Sequence, residues 1–146
     1  MKKQIIFSAM TFLFAFTACN SVPVIPPDLS YTQLIQLGQD ALDIPNYKAA
    51  DAYYTAVIQR FGMNTAVYIE ATYELGHLYL MKKRYGEAVA KFIEIKEIYR
   101  DAEYGTLPSA YNKLAQIELD QIPDRYKPDS ERSGNSLKLR QTATFC

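Results

Sequence analysis

Residues Ile69 to Arg100 read IEATYELGHLYLMKKRYGEAVAKFIEIKEIYR. The first half puts Leu75, Leu78 and Tyr79 on one helical face, and the second puts Ala88, Phe92, Ile95 and Tyr99 on another. Both sets follow the three-and-four spacing of an amphipathic helix. The polar turn Lys82–Lys83–Arg84 joins them, so the two helices must fold back on each other. Gly76 lies inside the first helix, where glycine costs about 1 kcal/mol relative to alanine. Close approach of the second helix at Ala88 would account for that cost, and the unit reads as a helical hairpin with Gly76 facing Ala88.

The same pattern occurs once earlier. Leu37, Gly38, Tyr47, Ala50, Tyr54 and Val57 precede Leu75, Gly76, Tyr85, Ala88, Phe92 and Ile95 by a constant 38 residues, an internal repeat. Leu114-Ala115 follows Leu75-Gly76 by 39 residues and opens a third copy, with alanine in place of glycine. These residues resemble the tetratricopeptide repeat (TPR) family, whose pattern is a Leu-Gly pair, an aromatic, then alanine, aromatic and alanine at fixed offsets. Val57 and Ile95 stand where the family has its last alanine. The expected fold is all-α: a TPR-like solenoid of helical hairpins, about two and a half repeats in five helices, spanning residues 30–122.

Boundaries follow from capping and breaking residues. Ser30 with Gln33 three positions later matches a capping box and opens the first helix, which stops near Pro45. Asn46 caps the second, which Gly62 ends after Phe61. The 38-residue period exceeds the family's usual 34, so the loop around Met63 to Ala66 or the start of the third helix is extended. A fifth helix is expected from Thr106 or Leu107, with Pro108 in its first turn, carrying Ala110, Tyr111, Leu114 and Ala115 and serving as the cap of the solenoid. Pro123 ends it. Residues 123–146 are polar, hold two prolines and show no period, and read as a disordered tail or a peptide that orders on a partner.

The chain opens MKKQIIFSAMTFLFAFTAC, a positive start and an apolar run of 14 residues from Ile5 to Ala18. That is short of the roughly 20 needed to span a bilayer, so residues 1–18 read as a cleaved leader. Phe16-Thr17-Ala18-Cys19 resembles the lipobox of bacterial lipoproteins, with phenylalanine where leucine is usual. The resemblance implies that Cys19 becomes the first mature residue and carries lipid, anchoring the chain in a membrane; the alternative is an ordinary signal peptide with Cys19 a bystander. Asn20 in place of aspartate implies, by the enterobacterial sorting rule, the outer membrane with the domain facing the periplasm. Residues 19–29, with three prolines between Asn20 and Asp28, form a lipidated cysteine and an extended tether. Cys146 is the only other cysteine, so no disulfide framework is expected.

Charge argues against nucleic acid. Sixteen basic and sixteen acidic residues cancel, and loss of Lys2 and Lys3 with the leader leaves a net charge of −2. His77, the single histidine, follows Glu74 at the Glu-x-x-His spacing of di-iron bundles, but those need the motif twice; it reads as a polar residue on an open helix face. Neither a phosphate-binding glycine loop nor a nucleophile–base pair can be assembled, so an enzyme, a cofactor and a metal are not expected. Of twelve tyrosines, ten lie between Tyr47 and Tyr111, several on repeat positions, and packing explains those. The Lys82–Lys83–Arg84 run sits at a helix end and reads as a solvated turn.

In the TPR family the first helix of each repeat lines a concave groove, which maps here to Ile35, Gln39, Tyr73, His77, Asn112 and Gln116. The row is rich in amides and aromatics and suits a peptide backbone. It lacks the basic residues by which some TPR domains clamp a chaperone's C-terminal carboxylate. Lipobox, proline-rich tether and TPR hairpins, with Arg60-Phe61 before a long linker and then Ala71-x-Tyr73-x-Leu75-Gly76, resemble the BamD-like lipoproteins of the outer-membrane β-barrel assembly machinery. Those have about five repeats. The resemblance implies a non-enzymatic scaffold with a protein partner, a barrel-assembly component first among candidates, or self-association through an uncovered end. Rival readings are a TPR lipoprotein of another envelope system, in transport or division, and a peptidoglycan-active enzyme or its regulator.

Overall fold

The computed structural model describes residues 22–103 and 105–132. The expected leader, Cys19, the first two tether residues and residues 133–146 with Cys146 lie outside the described residues. The fold is all-α, and the described residues form five α-helices: α1 Tyr31–Asp43, α2 Tyr47–Phe61, α3 Thr65–Met81, α4 Tyr85–Asp101 and α5 Ala110–Gln121. Each packs chiefly on its neighbours in sequence, and α3 also touches α1 and α5, so α1, α3 and α5 form one layer and α2 and α4 the other.

Caps set most boundaries where the sequence puts them. The Ser30 N–H donates to Oε1 of Gln33 at 2.9 Å while the Gln33 N–H donates to Oγ of Ser30 at 3.3 Å, a complete capping box. Asn46 Oδ1 accepts from the N–H of Ala49, and Asn64 Oδ1 accepts from those of Ala66 and Val67. The α2–α3 link is only residues 62–64, so the surplus of the 38-residue period is helix: α3 has 17 residues against 13 in α1. Gly62 follows α2 but keeps a right-handed conformation (φ −64°), not the left-handed one typical of a glycine stop. Between α3 and α4 it is Lys83 that turns left-handed (φ 56°). The Arg84 guanidinium lies 4.5 Å above the Tyr79 ring and pairs with Glu87, so this residue of the basic run is engaged.

The hairpin contact differs from the one expected. A Cβ at Gly76 would stand 2.7 Å from Cε1 of Phe92, and one at Gly38 would overlap the Tyr54 ring. Each glycine therefore makes room for the aromatic ring sixteen residues later, which is what an added Cβ would meet first, and Ala88 and Ala50 are buried without being that nearest contact. The ring needs the space more than the small residue does. Both rings are fully buried, Tyr54 with Leu34, Val57 and Leu75, Phe92 with Ile69, Ile95 and Leu119. Helix α3 feeds both clusters, Leu75 and Leu78 into one and Ile69 into the other, which is why its apolar residues do not form a single stripe.

Three further expectations change. Helix α5 starts at Ala110, with Pro108 before it and Ser109 at the cap position, rather than at residue 106 or 107. Leu114 is 37 % exposed although its repeat counterpart Leu75 is 4 % exposed, because among the described residues no second helix of a third repeat covers it. Pro128 falls inside the span where that helix would run, and an interior proline breaks a helix. Instead residues 122–132 return along α4. Ile122 is buried, the Tyr126 ring lies 5.0 Å from that of Tyr85, and Lys96 Nζ pairs with Glu131 at 2.9 Å. The packed region thus extends ten residues past the expected boundary at 122, and α5 shares the capping with this return. The tether also docks at its far end: Arg60 Nη1 and Nη2 donate to the carbonyls of Pro26 and Ile25 at 2.7 and 3.2 Å.

Candidate functional site

The six residues expected to line one row do not lie together. Ile35 is buried in the core. Gln39 is exposed, and its Nε2 donates to Oε1 of Glu74 at 3.1 Å, linking α1 to α3. Tyr73 and His77 stack with ring centroids 6.4 Å apart and both reach α5: the Tyr73 hydroxyl donates to Oε1 of Glu118 at 3.3 Å, and Nδ1 of His77 lies 3.3 Å from the same oxygen. Gln116 is elsewhere. Its Oε1 accepts from Lys96 Nζ of α4 at 2.6 Å, on the side where the chain returns. Asn112 is exposed in a depression with Tyr99, Arg100 and Leu107.

What gathers on the α1–α3–α5 layer is a cluster of carboxylates and phenols: Gln39, Glu70, Tyr73, Glu74, Tyr111 and Glu118, with His77 beside them. The Tyr73 and Tyr111 rings are 5.5 Å apart. Glu118, its side chain 12 % exposed, also accepts from Gln121 Nε2. Among the described residues no lysine or arginine pairs with Glu70, Glu74 or Glu118. Sequence reasoning reached Gln39, Tyr73 and His77 and did not assign the carboxylates around them to the site. A usable signal existed, since Glu70 and Glu74 are like charges one helical turn apart with no lysine on α3.

The electrostatics follow from that crowding. Burial raises the Glu74 carboxyl above the ordinary glutamate value, with Glu70 adding to the rise, and the Gln39 hydrogen bond and His77 opposing it. Burial, then Glu118, pushes the Tyr73 phenol up to about 12, and burial with Glu70 raises Tyr111 as well. The Tyr54 hydroxyl is fully buried beside Glu74, yet completes no hydrogen bond.

Two predictions arise here. Between the ordinary glutamate value and the raised one, folded Glu74 keeps a proton that the unfolded chain has released, so its contribution to stability is lost as pH rises through that window. Glu74→Gln keeps the bond from Gln39 without the charge. Thermal melts should show it more stable than wild type at pH 7 and closer to wild type at pH 4. Tyr54→Phe removes an unpartnered buried hydroxyl and installs the residue type that the second repeat already has at Phe92. It should raise stability by about 1 kcal/mol in urea titration, where a loss would contradict the assignment.

Elsewhere, a depression of about 740 Å³ between the start of α3 and the end of α4 is lined by Tyr68, Glu94, Glu97, Ile98 and Asp101. Tyr68 donates to Glu94 there. Among the described residues no group of three or more potential ligands is arranged to hold a metal, and no helix is long and apolar enough to cross a membrane.

No protein-family model matches the chain, and no solved structure matches it. An uncharacterized protein of Treponema pallidum (strain Nichols) is similar, 31 % identical over 117 residues. That alignment covers 78 % of this chain and 47 % of the relative, so the chain spans about half the length of the protein it matches.

Proposed function

We propose that this chain is a non-enzymatic helical-repeat scaffold, held to the outer membrane by lipid on Cys19 and facing the periplasm, whose α1–α3–α5 face docks a protein partner. The observation that supports it most is that face: partly buried carboxylates and tyrosines, none paired with a lysine or arginine among the described residues, on a two-layer support. Groups left in that condition cost stability in the free chain and are retained where a partner completes them. The lipobox-like Phe16-Thr17-Ala18-Cys19 and the TPR pattern support the anchor and the class of scaffold. The resemblance to BamD-like lipoproteins makes a β-barrel assembly component the partner proposed.

A photo-crosslinking residue placed in cells at position 39 or 77 should capture an assembly subunit, and one at position 116, which faces α4, should not. No capture from 39 and 77, or equal capture from 116, overturns the docking face. Capture of a different envelope protein overturns the partner. Metabolic palmitate labelling should mark the chain and be lost in Cys19→Ser; labelling that persists removes the anchor.

A further inference from the structure

We propose that the segment docking on the α1–α3–α5 face is cationic: an extended peptide whose lysine or arginine side chains reach Glu70 and Glu74 beside the touching rings of Tyr73 and Tyr111. This rests on the reading above that the face docks a partner, and adds the chemistry of what is docked.

The charge is divided between the two layers. Helices α1, α3 and α5 carry Asp40, Asp43, Glu70, Glu74, Glu118 and Asp120 against Lys113 alone. In α2 and α4 five acidic residues meet five basic ones. The near-neutral total charge therefore hides a one-sided field, and a field of one sign on one face selects ligands of the other sign. Nucleic acid and anionic lipid are repelled by it.

The centre of the face is independently unfinished. Tyr54, fully buried, has its hydroxyl beside Glu74 but outside hydrogen-bonding geometry, and Glu74 accepts from a neutral donor, Gln39, across the layer. A guanidinium or ammonium brings several donors to such a pair of carboxylates, and the packed rings of Tyr73 and Tyr111 stand next to them. The raised Glu74 carboxyl fits a site whose charge is compensated only when occupied.

The probe is a labelled dodecapeptide of alternating arginine and alanine, titrated by fluorescence anisotropy against the full chain in non-ionic detergent, with an alternating glutamate–alanine peptide as control. The arginine peptide should bind, weakening steeply as salt rises from about 0.05 to about 0.5 M, and the glutamate peptide should not. Glu70→Gln with Glu74→Gln should weaken binding at least about tenfold while the melting temperature holds or rises, so the loss cannot be unfolding. Glu87→Gln with Glu97→Gln, on the other layer, should change it by less than about twofold. Equal affinity for both peptides, no binding, or indifference to the Glu70/Glu74 pair overturns the proposal. Binding that appears only after Lys138→Ala and Arg140→Ala makes the chain's own C-terminal segment the occupant and overturns an external one. The two readings fail separately. Crosslinks from positions 39 and 77 that survive the double glutamine variant keep the docking face and remove its cation preference. Arginine-peptide binding with the dependences above, in cells where no crosslink forms, keeps the chemistry and removes the assembly partner.

Discussion

Phe92→Ala is expected to cost about 3–5 kcal/mol and to lower the melting temperature by about 10–25 °C. Phe92 is fully buried, fills the notch at Gly76, lies 6.0 Å from the Tyr73 ring and joins α3, α4 and α5 in one cluster. Its removal leaves a cavity that a glycine cannot fill from the opposite side. A domain this size has about 5–15 kcal/mol in total, so at 37 °C a large share of the variant should be unfolded. Urea titration followed by circular dichroism measures it. A loss below about 1 kcal/mol would mean that the second hairpin does not depend on this ring.

Alanine at three glycines should separate by sign. Alanine is the better helix former by about 1 kcal/mol, and at Gly86, where an added Cβ meets nothing within 4 Å, Gly86→Ala should gain about 0.5–1 kcal/mol. At Gly38 and Gly76 the same methyl group runs into a buried ring that has nowhere to go, so Gly38→Ala and Gly76→Ala should each cost about 1–3 kcal/mol net. Gly38→Ala should be the worse of the two, because its Cβ overlaps the Tyr54 ring more deeply than that at Gly76 overlaps Phe92. Three melts under one condition suffice. If all three substitutions stabilise, the glycines are not notches.

Periodicity made the helices legible. The i, i+3, i+4 spacing and the 38-residue repeat placed four of the five, and Ser30, Asn46 and Pro123 marked ends that local chemistry alone decides. The contact between hairpin helices was half legible. Gly76 announced a close approach, but a sequence does not say whether the alanine at 88 or the ring at 92 takes the space, since both lie on the inward face. Residues 123–132, read as part of a tail from 123, are packed because their order comes from tertiary contacts, Tyr126 on Tyr85 and Lys96 with Glu131, in a stretch whose composition looks disordered. The docking face was legible in part. Tyr73 and His77 came from the repeat register. Glu118 and Tyr111 came to them only through the stacking of α5 on α3, and the 39-residue offset misassigned Gln116, which turns toward Lys96.

Both hairpins depend on a ring seated over a glycine, and that arrangement has a direct signature. In a nuclear Overhauser spectrum of the folded chain, the Hα protons of Gly76 should show cross-peaks to the Phe92 ring and those of Gly38 to the Tyr54 ring, with Hα shifts displaced by the ring currents. Cross-peaks from both glycines to methyl protons of Ala88 and Ala50, with none to either ring, would contradict the packing on which the layers and the docking face rest.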